Sequence, residues 1–372
     1  MRRIILKYIY ENKNWPKFEW DISVILKTLS IVRNKQGILK GRMDSLGLNL
    51  QNEALLENLS VDIIKSSEIE GETLDPVQVR SSLARQLGID YSGVAVPDRN
   101  VDGIVEMMLD ATRNYIKPLS KDRLCSWHSS LFPAGRSGMH KITVGGWRKD
   151  EKGPMQVVSG PVGREKVHYQ APPANLLEDE MEKFIIWING SKETDDVIKS
   201  GIAHLWFVTL HPFDDGNGRI ARAISDLLLT RSDDTPNRYY SMSAQINRMR
   251  KNYYDILEKT QKGGLDITEW LDWFIKCLNY ALDSTEVTLN RVLFKNDFWK
   301  KNSDTVFNLR QKKMINIILD GFEGRLTTKK WSKITKCSDD TALRDINDLI
   351  LKKVLIKDLP GGRSTSYSLE GK

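Results

Sequence analysis

Cysteine is scarce in this chain: Cys125, Cys277 and Cys337 are the only three in 372 residues, and they lie far apart. An odd, scattered set builds neither a disulfide framework nor a zinc site. It points to a reducing compartment, the cytoplasm. Long apolar runs are missing too. No stretch approaches the roughly 18 residues a membrane span needs, and the apolar run after Arg2-Arg3 stops at Lys7, too short for a secretory leader. There is no internal repeat, no low-complexity tract and no Walker A pattern, which removes solenoids and P-loop enzymes. What is present suits an ordinary globular protein of two or three domains, with 40% hydrophobic and 28% charged residues.

The net charge is +7, and residues 305–372 alone hold 14 Lys+Arg against 8 Asp+Glu, a balance of +6. A local basic excess fits an acidic partner such as nucleic acid, or a plain solvated surface.

Apolar periodicity predicts a mainly α chain. Helices are expected over 21–43 and 53–69. Asp75-Pro76-Val77-Gln78 reads as an N-cap, a first-turn Pro and a capping-box Gln, opening a helix that reaches Leu87 before Gly88. Segment 89–99 is a connection, and a helix follows at about 100–115. Residues 141–173 change character: Gly145, Gly146, Gly153, Pro154, Gly160, Pro161 and Gly163 surround short β-prone pieces, Val157-Val158 and Val167-His168-Tyr169, as in a β-hairpin flap. Helices resume at 174–189, 195–210, 219–231, 246–261 and 267–290, and polar 295–305 reads as a linker. The tail predicts helices at 308–320, 328–334 and 338–353, then two β-prone pieces around Pro360-Gly361-Gly362, the pattern of a winged helix-turn-helix. The layout expected is therefore an N-terminal helical region (1–95), a central helical core with its flap (96–292) and a winged domain (306–372).

The densest chemistry lies in His211-Pro-Phe-Asp-Asp-Gly-Asn-Gly-Arg-Ile-Ala-Arg222, between two apolar-periodic helices. Gly216-Asn217-Gly218 allows a tight turn with N–H groups turned inward and opens a helix whose N-terminus favours anions. Arg219 and Arg222, at i and i+3, share a face of the first turn and suit a polyphosphate. Asp215 offers a carboxylate for a Mg²⁺ bridging phosphates. His211 titrates near neutrality and suits proton abstraction from a hydroxyl. A base, a metal ligand and a phosphate cradle within twelve residues are equipment for nucleotidyl transfer. The run also matches a relaxed dinucleotide fingerprint, but a helix rather than a strand precedes its glycines, which excludes that reading.

These twelve residues resemble the signature of the Fic (filamentation induced by cAMP) family, over a region of roughly 50–290. The resemblance implies an all-helical core with a β-hairpin flap that transfers AMP from ATP to a Ser, Thr or Tyr hydroxyl of a protein, releasing pyrophosphate. It implies that His211 is the base, that Asp215 holds Mg²⁺, and that Gly216, Asn217, Gly218, Arg219 and Arg222 bind phosphates, with Phe213 as a core anchor. It places Val157, Val158, Ser159 and Gly160 of the flap along the nucleotide. Arg250-Lys-Asn-Tyr253-Tyr254-Asp-Ile-Leu257 resembles the family's helix near the adenine, and Gln261 stands where some relatives carry Asn. Family members also move UMP or phosphocholine, so the transferred group is not fixed.

Ser66-Ser-Glu-Ile-Glu70-Gly71 resembles the family's inhibitory motif. A Glu70 carboxylate paired with Arg222 would occupy the γ-phosphate position and leave the enzyme inhibited, with Ser66 as its companion. In some relatives the same Glu aligns a water that removes AMP, so a bifunctional or de-AMPylating enzyme is the alternative. The expected partners are a target protein, the chain itself or a second copy as a homodimer, and no membrane. The alternative from another class is a DNA-binding regulator acting through the winged domain. Its third helix offers Arg344, Lys352 and Lys353 and its wing Arg363, although Asp345 and Asp348 would repel phosphates; docking of a protein is the competing role. His204, His128 and helix-spaced Trp270, Trp273 and Phe274 read as packing, and His140 and His168 receive no role. The aromatics of Tyr8–Trp20 are expected to pack on the core.

Overall fold

Two antiparallel core helices, α7 (Asp196–Leu210) and α8 (Asn217–Asp233), form the centre of the chain, in a computed structural model that describes all residues except 1–6, 90–95, 152, 162, 191–193, 320–321, 323, 359–364 and 371–372. Every residue of α7 from Val197 to Leu210 is buried, so it is enclosed on all faces rather than along one stripe. Around this pair the chain lays α1 (Ile22–Asp44), α2 (Leu48–Ile69), α3 (Pro76–Leu87), α4 (Arg99–Arg113), α5 (Lys121–Leu131) and α6 (Leu177–Gly190). α9 (Met242–Arg248), α10 (Arg250–Gln261) and α11 (Thr268–Lys301) follow the pair. Two short antiparallel ribbons interrupt the helices: β1 (Arg136–Ser137) with β2 (His140–Lys141), and β3 (Gln156–Ser159) with β4 (Lys166–Gln170). The mainly α fold with a hairpin flap is thus the one expected.

α3 begins as its sequence dictates, with Asp75 accepting the Val77 N–H at 2.8 Å, and ends on Gly88 at φ 68. The capping box does not close: Gln78 accepts the N–H of Asp98 instead, tying α3 to the start of α4. α4 and α5 cross so closely that a Cβ on Gly103 would stand 1.8 Å from the Ser130 carbonyl oxygen. The N-terminal aromatics do pack on the core. Trp15 and Phe18 meet Trp206 edge-on at 6.0 and 5.8 Å, and Tyr8 meets Tyr169 of β4 at 5.1 Å.

The chain divides into two compact units, Met1–Glu286 and Val287–Lys372. Segment 295–305 is a correction to the sequence reading: it is helical through Lys301, because polar residues on an exposed helix face look like a linker in sequence. In the second unit α12 (Leu309–Leu319), α13 (Thr328–Thr335) and α14 (Asp339–Leu351) precede an antiparallel pair, β5 (Leu355–Lys357) with β6 (Tyr367–Leu369). Trp331, Met314, Ile315, Ile346 and Leu349 form its core. The two aspartates expected to repel phosphate are engaged internally: Asp345 accepts from Arg310 at 2.7 Å and Asn308 at 2.8 Å, and Asp348 pairs with Lys352 at 2.5 Å. Arg363, and the Pro360-Gly361-Gly362 turn, lie outside the described residues.

Candidate active site

The loop between α7 and α8 is held from three directions. His211 ends α7 in the left-handed region (φ 49), its N–H donating to Phe207 O at 2.9 Å. Gly216 (φ 79) precedes α8, and a Cβ there would meet Phe132 at 2.9 Å. Asn217 closes the turn with both ends of its amide, accepting the Phe213 N–H at 3.0 Å and donating to Phe213 O at 2.8 Å. Its side chain is therefore a clamp on the loop. Phe213 is fully buried and stacks on His128 at 4.2 Å.

Arg148 supplies the third hold. Its Nε donates to His211 O at 2.8 Å, its Nη2 to Pro172 O at 2.6 Å, and its backbone N–H to Pro212 O at 2.8 Å, while Asp150 neutralises it at 2.5 Å. Sequence reasoning missed this residue; a lone Arg after Gly145-Gly146-Trp147 gave no periodic or motif signal.

The tautomer of His211 follows from the hydrogen bond of its ring. A carbonyl only accepts, so the 3.3 Å contact between Nδ1 and Val208 O places the proton on Nδ1 and leaves Nε2 with its lone pair. Burial pushes the imidazole down to about 4, the Val208 carbonyl offsetting part of that shift. Near pH 7 it is neutral and able to take a proton.

Asp215 accepts the Gly216 N–H at 2.5 Å on one oxygen and the Ser137 hydroxyl of β1 on the other, while neighbouring Asp214 accepts the Thr143 N–H at 2.8 Å. Among the described residues no group of three or more His, Cys, Asp or Glu side chains could hold a metal. A single carboxylate is nevertheless what Mg²⁺ takes when waters and substrate phosphates complete its shell. Asp215 fits an ion shared with the substrate, not one caged by the protein.

The first N–H groups of α8 have no intrahelical acceptor, and Gly216 offers no capping side chain, so they could accept an anion. That helix start is covered by the end of α2. A Cβ on Gly218 would lie 2.1 Å from Glu70 Oε1, so the Glu70 carboxylate rests directly over the first turn. Arg222 donates to Glu70 Oε1 at 2.7 Å, to Ser66 Oγ at 2.8 Å and to Ser66 O at 2.9 Å; its side chain is 2% exposed. Arg219 stacks on the Phe132 ring and pairs with Glu72 at 2.5 Å. Burial, opposed by Arg219, pushes the Glu72 carboxyl above the usual carboxylate range. Glu72 was not foreseen; its place two residues after Glu70 in Glu-Gly-Glu was the available signal.

Tyr253 and Gln261 are buried and bonded within the core. Tyr253 Oη lies 2.8 Å from His204 Nε2, whose Nδ1 meets Ser225 Oγ at 3.0 Å, a ladder joining α7, α8 and α10. Burial holds His204 down at about 3, in keeping with a packed histidine. Gln261 reaches Val208 O and Thr209 Oγ1, both at 3.4 Å. Tyr254 is partly exposed and donates to Ile69 O at 3.2 Å, beside Glu70. On the flap, Val157 is half-buried and Val158, Ser159 and Gly160 are exposed.

Residues 118–229 match the Fic/DOC family, and residues 8–89 match a family described as a domain of unknown function, DUF4172. The chain is 27% identical over 171 residues to the protein adenylyltransferase fic-1 of Caenorhabditis elegans, covering 45% of this chain and 31% of that protein. It is 27% identical over 226 residues to the protein adenylyltransferase Fic of Culex quinquefasciatus, covering 59% and 40%. It thus spans only 31% and 40% of the length of these two curated relatives. A crystal structure of a Fic family protein from Desulfovibrio desulfuricans G20 shares the fold at TM-score 0.53 and 21% identity, over 94% of this chain and 96% of that one. The loop at His211 and the helices that hold it are thereby those of a Fic/DOC family domain, which this chain carries.

Proposed function

We propose that the chain is a protein adenylyltransferase, moving AMP from ATP to a Ser, Thr or Tyr hydroxyl of a protein, and that Glu70 holds it inhibited. The acceptor hydroxyl gives its proton to Nε2 of His211 and its oxygen attacks the α-phosphorus. The bond from that phosphorus to the bridging oxygen breaks, and pyrophosphate leaves with the electron pair. Arg219, Arg222 and the first N–H groups of α8 stabilise the charge on the phosphates. Mg²⁺, held by Asp215 together with the phosphates, would neutralise part of that charge. The observation that carries the proposal is the lone pair of His211 Nε2 beside an anion site of two arginines and a helix N-terminus.

The test is mass spectrometry of the chain and candidate targets after incubation with ATP, UTP or CDP-choline. An AMP increment from ATP, abolished by His211→Ala, is expected. Transfer unaffected by that substitution sinks the catalytic role. Partners in this reading are the target protein, the chain itself and a second copy of it, in a cytoplasmic setting that suits three unpaired cysteines.

One observation favours an added activity. The Glu70 side chain is 30% exposed, so its carboxylate reaches solvent where it could align a water for AMP removal. Release of AMP from a pre-modified target, lost in Glu70→Gly, would support that; no release with either form excludes it. For the second unit, engagement of Asp345 and Asp348 leaves Arg344 and Lys353 exposed on or beside α14, which favours DNA. Gel shifts that weaken with salt and with Arg344→Ala are expected; binding indifferent to salt argues for protein docking.

A further inference from the structure

A second nucleophile–base pair sits on the flap. Pairing of β3 with β4 runs Val157 to Tyr169 and then Val158 to Val167, so His168 is the extra residue of a bulge. A bulge re-aims the side chain of its extra residue. His168 is aimed at two partners: its Nδ1 stands 2.6 Å from Glu258 Oε2 of α10, and its Nε2 stands 2.6 Å from Ser159 Oγ of β3.

The roles follow from the donors. The Glu258 carboxyl is held below its usual range, first by Lys262 at 2.6 Å and then by His168, so it is an acceptor. Nδ1 then carries the imidazole proton, and Nε2 is left to accept from the serine. A hydroxyl bonded to a histidine that a carboxylate orients is the arrangement that activates serine nucleophiles. His168 and Glu258 are 25% and 27% exposed and Ser159 is exposed, so an electrophile can reach the oxygen. A strut between flap and helix would need only the histidine and the carboxylate; the serine is the member with no structural task.

We propose that Ser159, His168 and Glu258 form an activated hydroxyl, and that Ser159 is a site at which the chain accepts a nucleotidyl group itself. The second clause rests on the adenylyltransferase reading. In the step, Ser159 Oγ bonds to the α-phosphorus of ATP and the bond to the pyrophosphate oxygen breaks. The hydroxyl proton passes to His168 Nε2, the imidazolium is held by Glu258, and pyrophosphate leaves with the electron pair.

Two arms on the full chain test this separately. In the first, a fluorophosphonate probe is mapped by peptide mass spectrometry, with no nucleotide present. Ser159 is expected to react at least about tenfold faster than other exposed serines and to lose that advantage in His168→Gln and in Glu258→Gln. Reaction at Ser159 no faster than elsewhere overturns the activated hydroxyl. In the second, Glu70→Gly is incubated with ATP and Mg²⁺. AMP on Ser159, absent in Ser159→Ala and slowed about a hundredfold by His168→Gln, supports the acceptor assignment. AMP found on other residues or on a target but never on Ser159 overturns it. If nothing is labelled in this arm, the acceptor assignment and the adenylyltransferase reading fall together, while the probe arm still decides the hydroxyl.

Discussion

Removing the Glu70 carboxylate is the sharpest perturbation this site allows. Arg222 is 2% exposed, and of its hydrogen bonds to Ser66 and Glu70 only that to Glu70 brings a negative charge. A hydrogen bond between charged groups contributes about 1.5–3 kcal/mol. If the carboxylate must leave before a γ-phosphate enters, that energy appears as a deficit of roughly tenfold to a hundredfold in productive ATP binding. Glu70→Gly should therefore raise AMP transfer by that factor, and Glu70→Gln, which keeps an acceptor but no charge, should fall between. Backbone geometry does not confound the change, because Glu70 sits at φ −87, open to any residue. Stability should fall at the same time, because Arg222 is left buried and unneutralised. The assay is transfer of α-labelled phosphate from ATP, read on the chain and on added targets, beside urea denaturation of each variant. Both variants transferring at the wild-type rate, with His211→Ala inactive, would refute the inhibitory role and leave the catalytic one standing. Glu72 offers a further check: Glu72→Gln releases Arg219 alone, and combined with Glu70→Gly it should exceed either single change.

Arg148→Lys should lower the transition midpoint and the transfer rate together, since an ammonium cannot span His211 O and Pro172 O; thermal melts and label transfer check both. Gly103→Ala should cost about 3 kcal/mol or more in urea denaturation, because its Cβ would lie 1.8 Å from the Ser130 carbonyl oxygen. Stability should also fall as pH drops below about 6.5. Burial depresses His128 and His211 to about 4 and His204 to about 3, so the unfolded chain takes up protons there and the folded chain does not. Each contributes up to about 1.4 kcal/mol per pH unit. Burial raises Asp233 to about 6 and Asp226 well above its ordinary value, which acts with the opposite sign over the same window. Asp233→Asn should accordingly steepen the loss between pH 6 and 4, and a flat or rising urea midpoint on acidification would contradict the assignment.

Local chemistry explains what was legible in the sequence. α3 was readable because Asp75, Pro76 and Gly88 act within their own turns. The run from His211 to Arg222 was readable because its glycines, its histidine and its arginines lie within twelve residues. α5 was not seen: its buried face of Leu124, Trp127, His128 and Leu131 is helix-spaced, but polar neighbours and a histidine hide the stripe. The two bonds that tie the Asn217 amide to Phe213 were not legible, because nothing in the sequence separates a loop clamp from a ligand. Arg148, Ser137 and Glu72 act only through tertiary approach, and no spacing rule reaches across 63, 78 or 147 positions.

If Glu70 inhibits as proposed, the burial of α2 limits how that inhibition would be relieved. Its side chains Leu55, Leu56, Leu59, Ile63 and Ile69 are each at most 5% exposed. Exposing five such residues costs on the order of 8–15 kcal/mol, as much as the whole stability of an ordinary domain. Further up the helix, Asp62 accepts from Ser241 at 2.6 Å and from the Ser243 N–H at 3.1 Å, fixing α2 to the start of α9. No target or ATP analogue binding with micromolar affinity, about 8 kcal/mol, can detach the helix and keep any net affinity. The Glu70 side chain is different: it lies at the helix C-cap, is 30% exposed and is held chiefly by one bond. Relief by rotation of that side chain costs only the 1.5–3 kcal/mol of the Arg222 contact. Hydrogen exchange decides between the two routes. Amides of residues 56–63 should stay as protected in Glu70→Gly with bound ATP as in the wild-type chain, whereas loss of their protection on activation would mean that α2 itself departs.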